Sequence, residues 1–232
     1  MLYDIAELKI QIDNRLKYTD KFCENYLAKD QTGKPDLTVA VTNEEFKAEK
    51  AASEKFSDGY IENLCIYRKI CNQAPAFDRF LLHSSVIEYG GYAYAFLGHS
   101  GAGKSTHSRL WLKYLDGAKV LNGDKPIIGY KDGKFTVYGT PWQGKEGYGY
   151  NGKAELKCAC FIEQAVQNSI SRISANDFAE RVFSQTLMPE TADGAMKTLE
   201  LLDKLVNTVP AYVLRCDISE EAFKTSSGVM LK

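Results

Sequence analysis

Residues 98–106 read Gly-His-Ser-Gly-Ala-Gly-Lys-Ser-Thr, and Gly98, Gly103, Lys104 and Ser105 satisfy the pattern G-x-x-x-x-G-K-[ST]. This stretch limits the fold more than any other, because the pattern functions only between a strand and the helix that follows it. Glycines let the backbone close around a polyphosphate so that successive N–H groups point inward. Lys104 supplies a positive charge for the β- and γ-phosphates, and the Ser105 hydroxyl is a ligand for Mg²⁺. Ser100, Gly101, Ala102 and Thr106 complete the cradle, and the helix that begins there adds the positive end of its dipole. With average Gly, Lys and Ser/Thr usage, a chance match in a chain this long is on the order of 1 in 100.

The flanks agree with the motif. Tyr92-Ala-Tyr-Ala-Phe-Leu97 is an apolar and aromatic run that predicts a strand. Ser108-Arg-Leu-Trp-Leu-Lys-Tyr-Leu115 predicts a helix with Trp111, Leu112 and Leu115 on one face. Strand, glycine loop and helix is the context in which a nucleotide cradle forms.

The chain has 232 residues, a net charge of −1, 44% hydrophobic and 25% charged residues. That size suits one domain over 1–232. The near-neutral charge and the lack of a long basic run speak against a nucleic-acid or membrane partner. No apolar segment approaches the ~20 residues that span a bilayer. The start, Met1-Leu-Tyr-Asp-Ile-Ala-Glu7, lacks the basic and apolar regions of a signal peptide, so a cytoplasmic protein is expected. The 6 cysteines are irregularly spaced and are expected to be free thiols. Cys158 and Cys160 alternate in an apolar run, which puts both on one side of a strand as core residues.

Three portions are expected: an N-terminal α/β lobe over 1–75, a nucleotide-binding core over 76–165, and C-terminal helices with a last strand over 166–232. In the lobe, Asp4 to Ile12 reads as a strand, Thr19 to Leu27 as a helix capped by Thr19 or Asp20, and Leu37 to Val41 as a strand after the turn Gln31–Asp36. Asn43 to Lys55 is helix-prone, and Leu64, Ile66 and Ile70 give Ile61 to Cys71 a helical pattern ending near Pro75. Further on, a buried strand lies near Ala159–Ile162, helices span about Ala175–Leu187 and Glu190–Thr208, Ala211–Cys216 is a strand, and Ser219 caps a short helix.

Three side chains are candidates to join the phosphates. Gly90-Gly91 between Ser84–Tyr89 and Tyr92–Leu97 signals a two-residue hairpin, which pairs Tyr89 with Tyr92 and brings His83 opposite Gly98. Lys119-Val-Leu121 reads as the strand after the motif helix. A right-handed crossover makes it run parallel to the motif strand, so Asp124 reaches the same sheet edge. There Asp124 is a metal ligand or a proton acceptor. The loop Gly139-Thr-Pro-Trp-Gln-Gly-Lys-Glu146 offers Lys145 as a second cation, or Trp142 as a platform. His107, on the helix, is expected to be structural.

These residues together resemble the HPr kinase/phosphorylase and phosphoenolpyruvate carboxykinase superfamily. The resemblance covers about residues 80 to 165 and rests on Leu82-His83-Ser84-Ser85, the glycine loop, and an apolar strand ending in acid about 20 residues later. It implies the mixed-sheet α/β core of that superfamily, as in a compact stand-alone HPr kinase-like protein. It also implies ATP with Mg²⁺ (or Mn²⁺) held by Lys104, Ser105, Asp124 and His83. The family carries paired aspartates where this chain has Gly123-Asp124-Lys125. The implied activity is an ATP-dependent kinase acting on a hydroxyl of a peptide, a protein or a small acceptor, most directly a serine, with Asp124, His83 and Lys104 as catalytic groups. A carboxykinase-like lyase and a non-catalytic ATP-binding regulatory module are the alternatives. The sequence selects no oligomeric state.

Overall fold

A computed structural model describes residues 1–53 and 55–232. The lobe opens with strands β1 (Leu2–Ile5) and β2 (Leu8–Asp13), followed by a one-turn helix α1 (Tyr18–Phe22), strand β3 (Leu37–Ala40) and helices α2 (Asn43–Ala52) and α3 (Asp58–Gln73). The expected strand Asp4–Ile12 is therefore a hairpin. Ala6 and Glu7 take positive φ of 54° and 58° and reverse the chain, although neither residue type announces a turn. The expected helix Thr19–Leu27 breaks after Phe22 into a 3₁₀ turn at Glu24–Tyr26, and neither Thr19 nor Asp20 caps it: Lys17 occupies that place without a side-chain bond. Thr19 is instead fully buried and accepts a hydrogen bond from Asn63 Nδ2 at 3.3 Å. Helix α2 starts on a reciprocal cap, in which Thr42 Oγ1 accepts from Glu45 N and the Glu45 carboxylate accepts from Thr42 N.

The main sheet begins with β4 (Arg79–Leu81), β5 (Ser85–Tyr89) and β6 (Tyr92–Leu97). Helix α4 (Lys104–Tyr114) then leads into β7 (Lys119–Asn122), β8 (Ile127–Lys131), β9 (Lys134–Tyr138) and the long β10 (Lys153–Gln164). The chain ends with β11 (Ser169–Arg172), α5 (Ala175–Phe183), α6 (Ala192–Thr208), β12 (Ala211–Cys216) and α7 (Glu220–Met230). Both helices α5 and α6 are shorter than expected: Thr186 and Leu187 bond to the end of β4 and the residue after it instead, and Thr191 caps α6 by accepting from Gly194 N. Nine strands form a curled mixed sheet in the order β4-β8-β9-β10-β6-β5-β7, with β12 added beside the second half of β10 and β11 beside β12. The fold is thus mixed α/β, with a separate three-stranded sheet, β1-β2-β3, in the lobe.

The β5–β6 register pairs Tyr89 with Tyr92, as a two-glycine turn requires; Gly90 and Gly91 both have positive φ (61° and 83°). Strand β7 pairs antiparallel with β5, which is itself antiparallel to β6. So β6 and β7 run in the same direction with β5 between them, and their C-terminal ends share one edge. Strand β10 runs parallel to β6, and β12 parallel to β10, so their ends reach that edge too.

Apolar side chains cover both faces of this sheet. On one face Phe161, Leu97 and Val137 pack with Phe178, Val182, Leu201 and Leu205 from α5 and α6. On the other Phe96, Tyr94 and Cys160 pack with Trp111 of α4 and Phe223 and Met230 of α7. Burying a side chain of the size of Trp111 from water is worth several kcal/mol, which makes this face of α4 its anchor. A third apolar cluster joins the lobe to the sheet: Tyr3, Ile10, Ile66 and Ile70 meet Leu81, Ile127 and Trp142. All 6 cysteines are buried free thiols, and burial holds the Cys158 thiol up at about 12, so it is inert at neutral pH. No helix of the described residues is long and apolar enough to cross a membrane.

Candidate functional site

The glycine loop leaves β6 at Gly98 and enters α4 at Lys104. It is pressed onto the end of β10: a Cβ at Gly98 would stand 3.0 Å from the Ala102 Cβ and 3.2 Å from Ile162 O. Only glycine accommodates that approach, which sets the loop low against the sheet. Lys104 is buried. Its Nζ donates to the carbonyls of Gly98 at 2.8 Å and His99 at 3.3 Å, so the ammonium lies folded along the loop. Burial lowers the Lys104 pKa and the nearby Asp124 charge partly restores it, so the two groups sense each other electrostatically.

A cleft with a volume of about 410 Å³ opens beside the loop. Ser100, Gly101, Gly103, Lys104, Ser105 and Thr106 line one side, and His83, Asp124 and Lys145 line the others. Ala102 turns away from it: it is buried and borders a second cleft behind the loop. Gly98 stays on the strand side, under Ala102.

His83 reaches the cleft by a different route from the expected one. The β5–β6 ladder ends at Ser85 opposite Phe96, and His83 is not paired with Gly98. Instead His83 N donates to Gln185 O at 2.7 Å, and Ser84 N donates to Asp124 O at 3.1 Å. The second bond ties the segment before β5 directly to the segment after β7, and it sets the His83 Nε2 3.0 Å from Asp124 Oδ1. Asp124 N in turn donates to Asn122 Oδ1 at 2.9 Å, while Asn122 Nδ2 donates to Thr140 Oγ1 at 3.1 Å. The acid therefore stands on a turn that is itself clamped inside the fold.

Asp124 also pairs with the ammonium of the next residue, Lys125. Burial alone would raise the carboxyl pKa. The hydrogen bonds from His83 and Lys125 outweigh it and hold the value at about 2, so the group is an anion at neutral pH. Lys125 is a residue to which sequence reasoning gave no role. Its signal was the missing second acid. A second close approach accounts for that absence: a Cβ at Gly123 would lie 2.9 Å from Gln143 O and 3.2 Å from Tyr148 O, and Gly123 N donates to Tyr148 O at 2.9 Å. The loop after β9 occupies the space that an aspartate at 123 would need.

That loop corrects another expectation. Trp142 is no platform at the cleft. It is buried in the lobe cluster, its indole N–H donates to Asn63 Oδ1 at 2.9 Å, and its ring lies 5.0 Å from that of Tyr67. Lys145 does reach the rim and is exposed. So does Glu146, which pairs with Arg109 across the mouth. Arg109 was missed, but its spacing marked it. Ser105, Ser108, Arg109 and Leu112 fall at i, i+3, i+4 and i+7 on α4, one face, and that face borders the cleft. Leu112 is accordingly 38% exposed and does not share the core face of Trp111. Ser108 Oγ lies 2.8 Å from Ser85 Oγ, pinning α4 to β5 beneath the cleft.

His107 is structural, on the core face of α4. Its Nε2 lies 2.9 Å from Ser226 Oγ and receives the Trp111 indole N–H at 3.2 Å. Burial pushes its pKa down to about 4, so it is neutral.

No protein-family model and no curated protein matches this chain. Among solved structures the chain is similar to the Hpr(Ser) kinase/phosphatase from Coxiella burnetii, with a TM-score of 0.36 and 8% identity over 65% of this chain and 96% of that one. A likeness this slight carries no weight for the chemistry, which is read from the site's own residues.

Proposed function

We propose that this chain is a phosphotransferase that moves the γ-phosphoryl group of ATP, bound with Mg²⁺, to the hydroxyl of a serine in a peptide or protein. The observation that supports it is the convergence of Lys104, Ser105, His83 and Asp124 on one cleft beside the glycine loop. The loop N–H groups and Lys104 would neutralise the phosphates, and such positioning and electrostatics make up most of the catalysis of phosphoryl transfer.

The donor set fits magnesium. Among the described residues no group of three or more His, Cys, Asp or Glu side chains could hold an ion alone. Mg²⁺ commonly takes one or two protein oxygens and completes its shell with phosphate and water. Ser105 Oγ and the Asp124 carboxylate would be those oxygens, and the ion when bound would offset charge on the β- and γ-phosphates. His83 fits a different role. The Asp124 anion accepts from Nε2–H, which leaves Nδ1 as the basic nitrogen of the ring. Nδ1 would take the serine proton as the hydroxyl oxygen bonds to the γ-phosphorus and the bond to the β-phosphate oxygen breaks, releasing ADP. Exposed Lys145 and Tyr148 leave the outer rim open to an acceptor carried on a polypeptide.

The test is transfer of labelled γ-phosphate from ATP to a mixture of serine-containing peptides. Label on peptide, lost in Lys104→Ala, is the expected result. Intact ATP binding with no transfer to any acceptor would sink the kinase reading. It would favour the second one, a nucleotide-binding regulatory module, for which the capture of Asp124 by Lys125 is the supporting observation.

A further inference from the structure

The glycine loop has two sides, and His83 and Asp124 stand on one of them. Behind it lies a second cleft, of about 540 Å³. Gly101, Gly103 and Thr106 border both clefts, so the two flank the same stretch of loop. The strand order puts them on opposite sides. From β6, the chain goes through α4 to β7 and delivers Asp124 to one side. On the other side β10 and then β12 lie parallel, with Gln164 opposite Cys216 at their ends. A crevice outside the carboxyl ends of strands that diverge in this way is where open α/β sheets receive ligands.

The chemistry of the two clefts is complementary. The first is lined by charged and proton-exchanging side chains, among them His83, Lys104 and Asp124. The second is apolar, floored by Ile162 and flanked by Val166 and Ile218, which are 93% and 76% exposed. Polar atoms stand at its edges. Gln164 Nε2 donates to Gly101 O at 2.9 Å, which ties this cleft's rim to the loop and leaves Oε1 for a ligand. Asp217 Oδ1 accepts from Ser219 N at 2.9 Å, Ser219 Oγ at 2.6 Å and Asn168 Nδ2 at 3.1 Å, so Oδ2 is the oxygen open to a new donor.

From this geometry we infer that the second cleft seats the nucleoside half of the nucleotide. The base packs against Val166 and Ile218, and its amino edge faces Gln164 and Asp217. The inference rests on the phosphate-cradle reading. If the γ-phosphate is to meet His83 and Asp124, the triphosphate must leave the loop in the other direction, past Thr106. A flat aromatic ring then covers two large aliphatic side chains that none of the described residues covers.

The experiment is a pair of calorimetric titrations, with Mg-ATP and with inorganic tripolyphosphate and Mg²⁺, on the full chain and on the double variant Val166→Asn, Ile218→Asn. Both sites are exposed, so folding should survive, and circular dichroism would check it. Wild type should bind ATP at least about tenfold more tightly than tripolyphosphate, a difference of about 1.4 kcal/mol. The variant should lose that preference while keeping its tripolyphosphate affinity. Equal ATP affinity in variant and wild type would overturn the seat. So would equal affinity of wild type for the two ligands, or a parallel loss of both in the variant. Failure of wild type to bind tripolyphosphate at all would fault the cradle itself, and is thereby distinguished from failure of the seat.

Discussion

His107 and His83 are related to one helix in opposite ways: the first is part of its core face, and the second faces its other side across the cleft. His107 lies on the core face of α4, where Ser226 and Trp111 meet its Nε2, and its Nδ1 is buried without a partner. His83 lies across the cleft that the other face of α4 borders, with the Asp124 carboxylate 3.0 Å from Nε2. The first is surrounded by aromatic rings, Phe96 at 4.9 Å among them, and burial keeps it neutral. The second faces an anion and an open cleft. What each histidine meets depends on elements from elsewhere in the chain: Ser226 of α7 for His107, and Asp124 of the turn after β7 for His83.

The widest separation between the two should come from Asp124→Asn. On the proposed mechanism it removes the anion that orients His83 and one oxygen donor for Mg²⁺, so phosphoryl transfer should fall by about 10²- to 10⁴-fold. His83→Ala should fall in the same range, and His107→Gln should not. Equal losses for His83 and His107 variants, measured as initial rates on folded protein, would erase the distinction.

Trp111→Ala tests the core side. It empties a fully buried site between Tyr94, Phe96 and Phe223, so unfolding free energy should drop by about 3–5 kcal/mol in urea titration. Asp124→Asn should cost less in the same assay, because it removes ion-pair and hydrogen-bond partners at the cleft rather than packed volume.

Acid should separate the histidines next. In the folded chain the His107 pKa is down at about 4, against 6.5 unfolded. Above pH 6.5 neither state carries the proton and the stability is fully present. Between pH 6.5 and about 4 the unfolded state binds the proton and the folded state does not, so stability falls with decreasing pH, by about 3 kcal/mol in all. Comparing urea midpoints at pH 7 and pH 4.5 reads this slope, and His107→Gln should flatten it. An unchanged slope in that variant would place the acid sensitivity elsewhere.

Much of this arrangement could be read in the residues. The glycine loop, the Gly90-Gly91 hairpin with its register and the parallel return to Asp124 were legible because each is a local signal with one geometric outcome. Ser219 as a cap and the one-sided cysteines of β10 were legible for the same reason. The hairpin at Ala6-Glu7 was not, since nothing in those side chains asks for positive φ. Trp142 and Leu112 exchanged expected places, core for cleft, because burial depends on what the lobe and the loop bring from far along the chain. The same holds for Arg109 and Glu146, which meet only once β9 and its loop have folded back over α4. The reason position 123 carries no side chain, the Gln143 and Tyr148 carbonyls, is visible only in three dimensions.

The smallest effect should belong to Lys145, and it sharpens the division between the floor of the cleft and its rim. Lys145 is exposed and sits in the loop that also carries Glu146, whose carboxylate is engaged by Arg109. A solvated cation at such a rim interacts with bound phosphate through water and salt, so its contribution is about 1 kcal/mol at most. Lys145→Ala should therefore weaken Mg-ATP by no more than about fivefold, and the deficit should shrink further at high salt. By contrast, the loss in Lys104→Ala should persist, because that ammonium is buried against the loop. A large, salt-insensitive loss at Lys145 would mean that the loop after β9 closes over the phosphates and belongs with the floor.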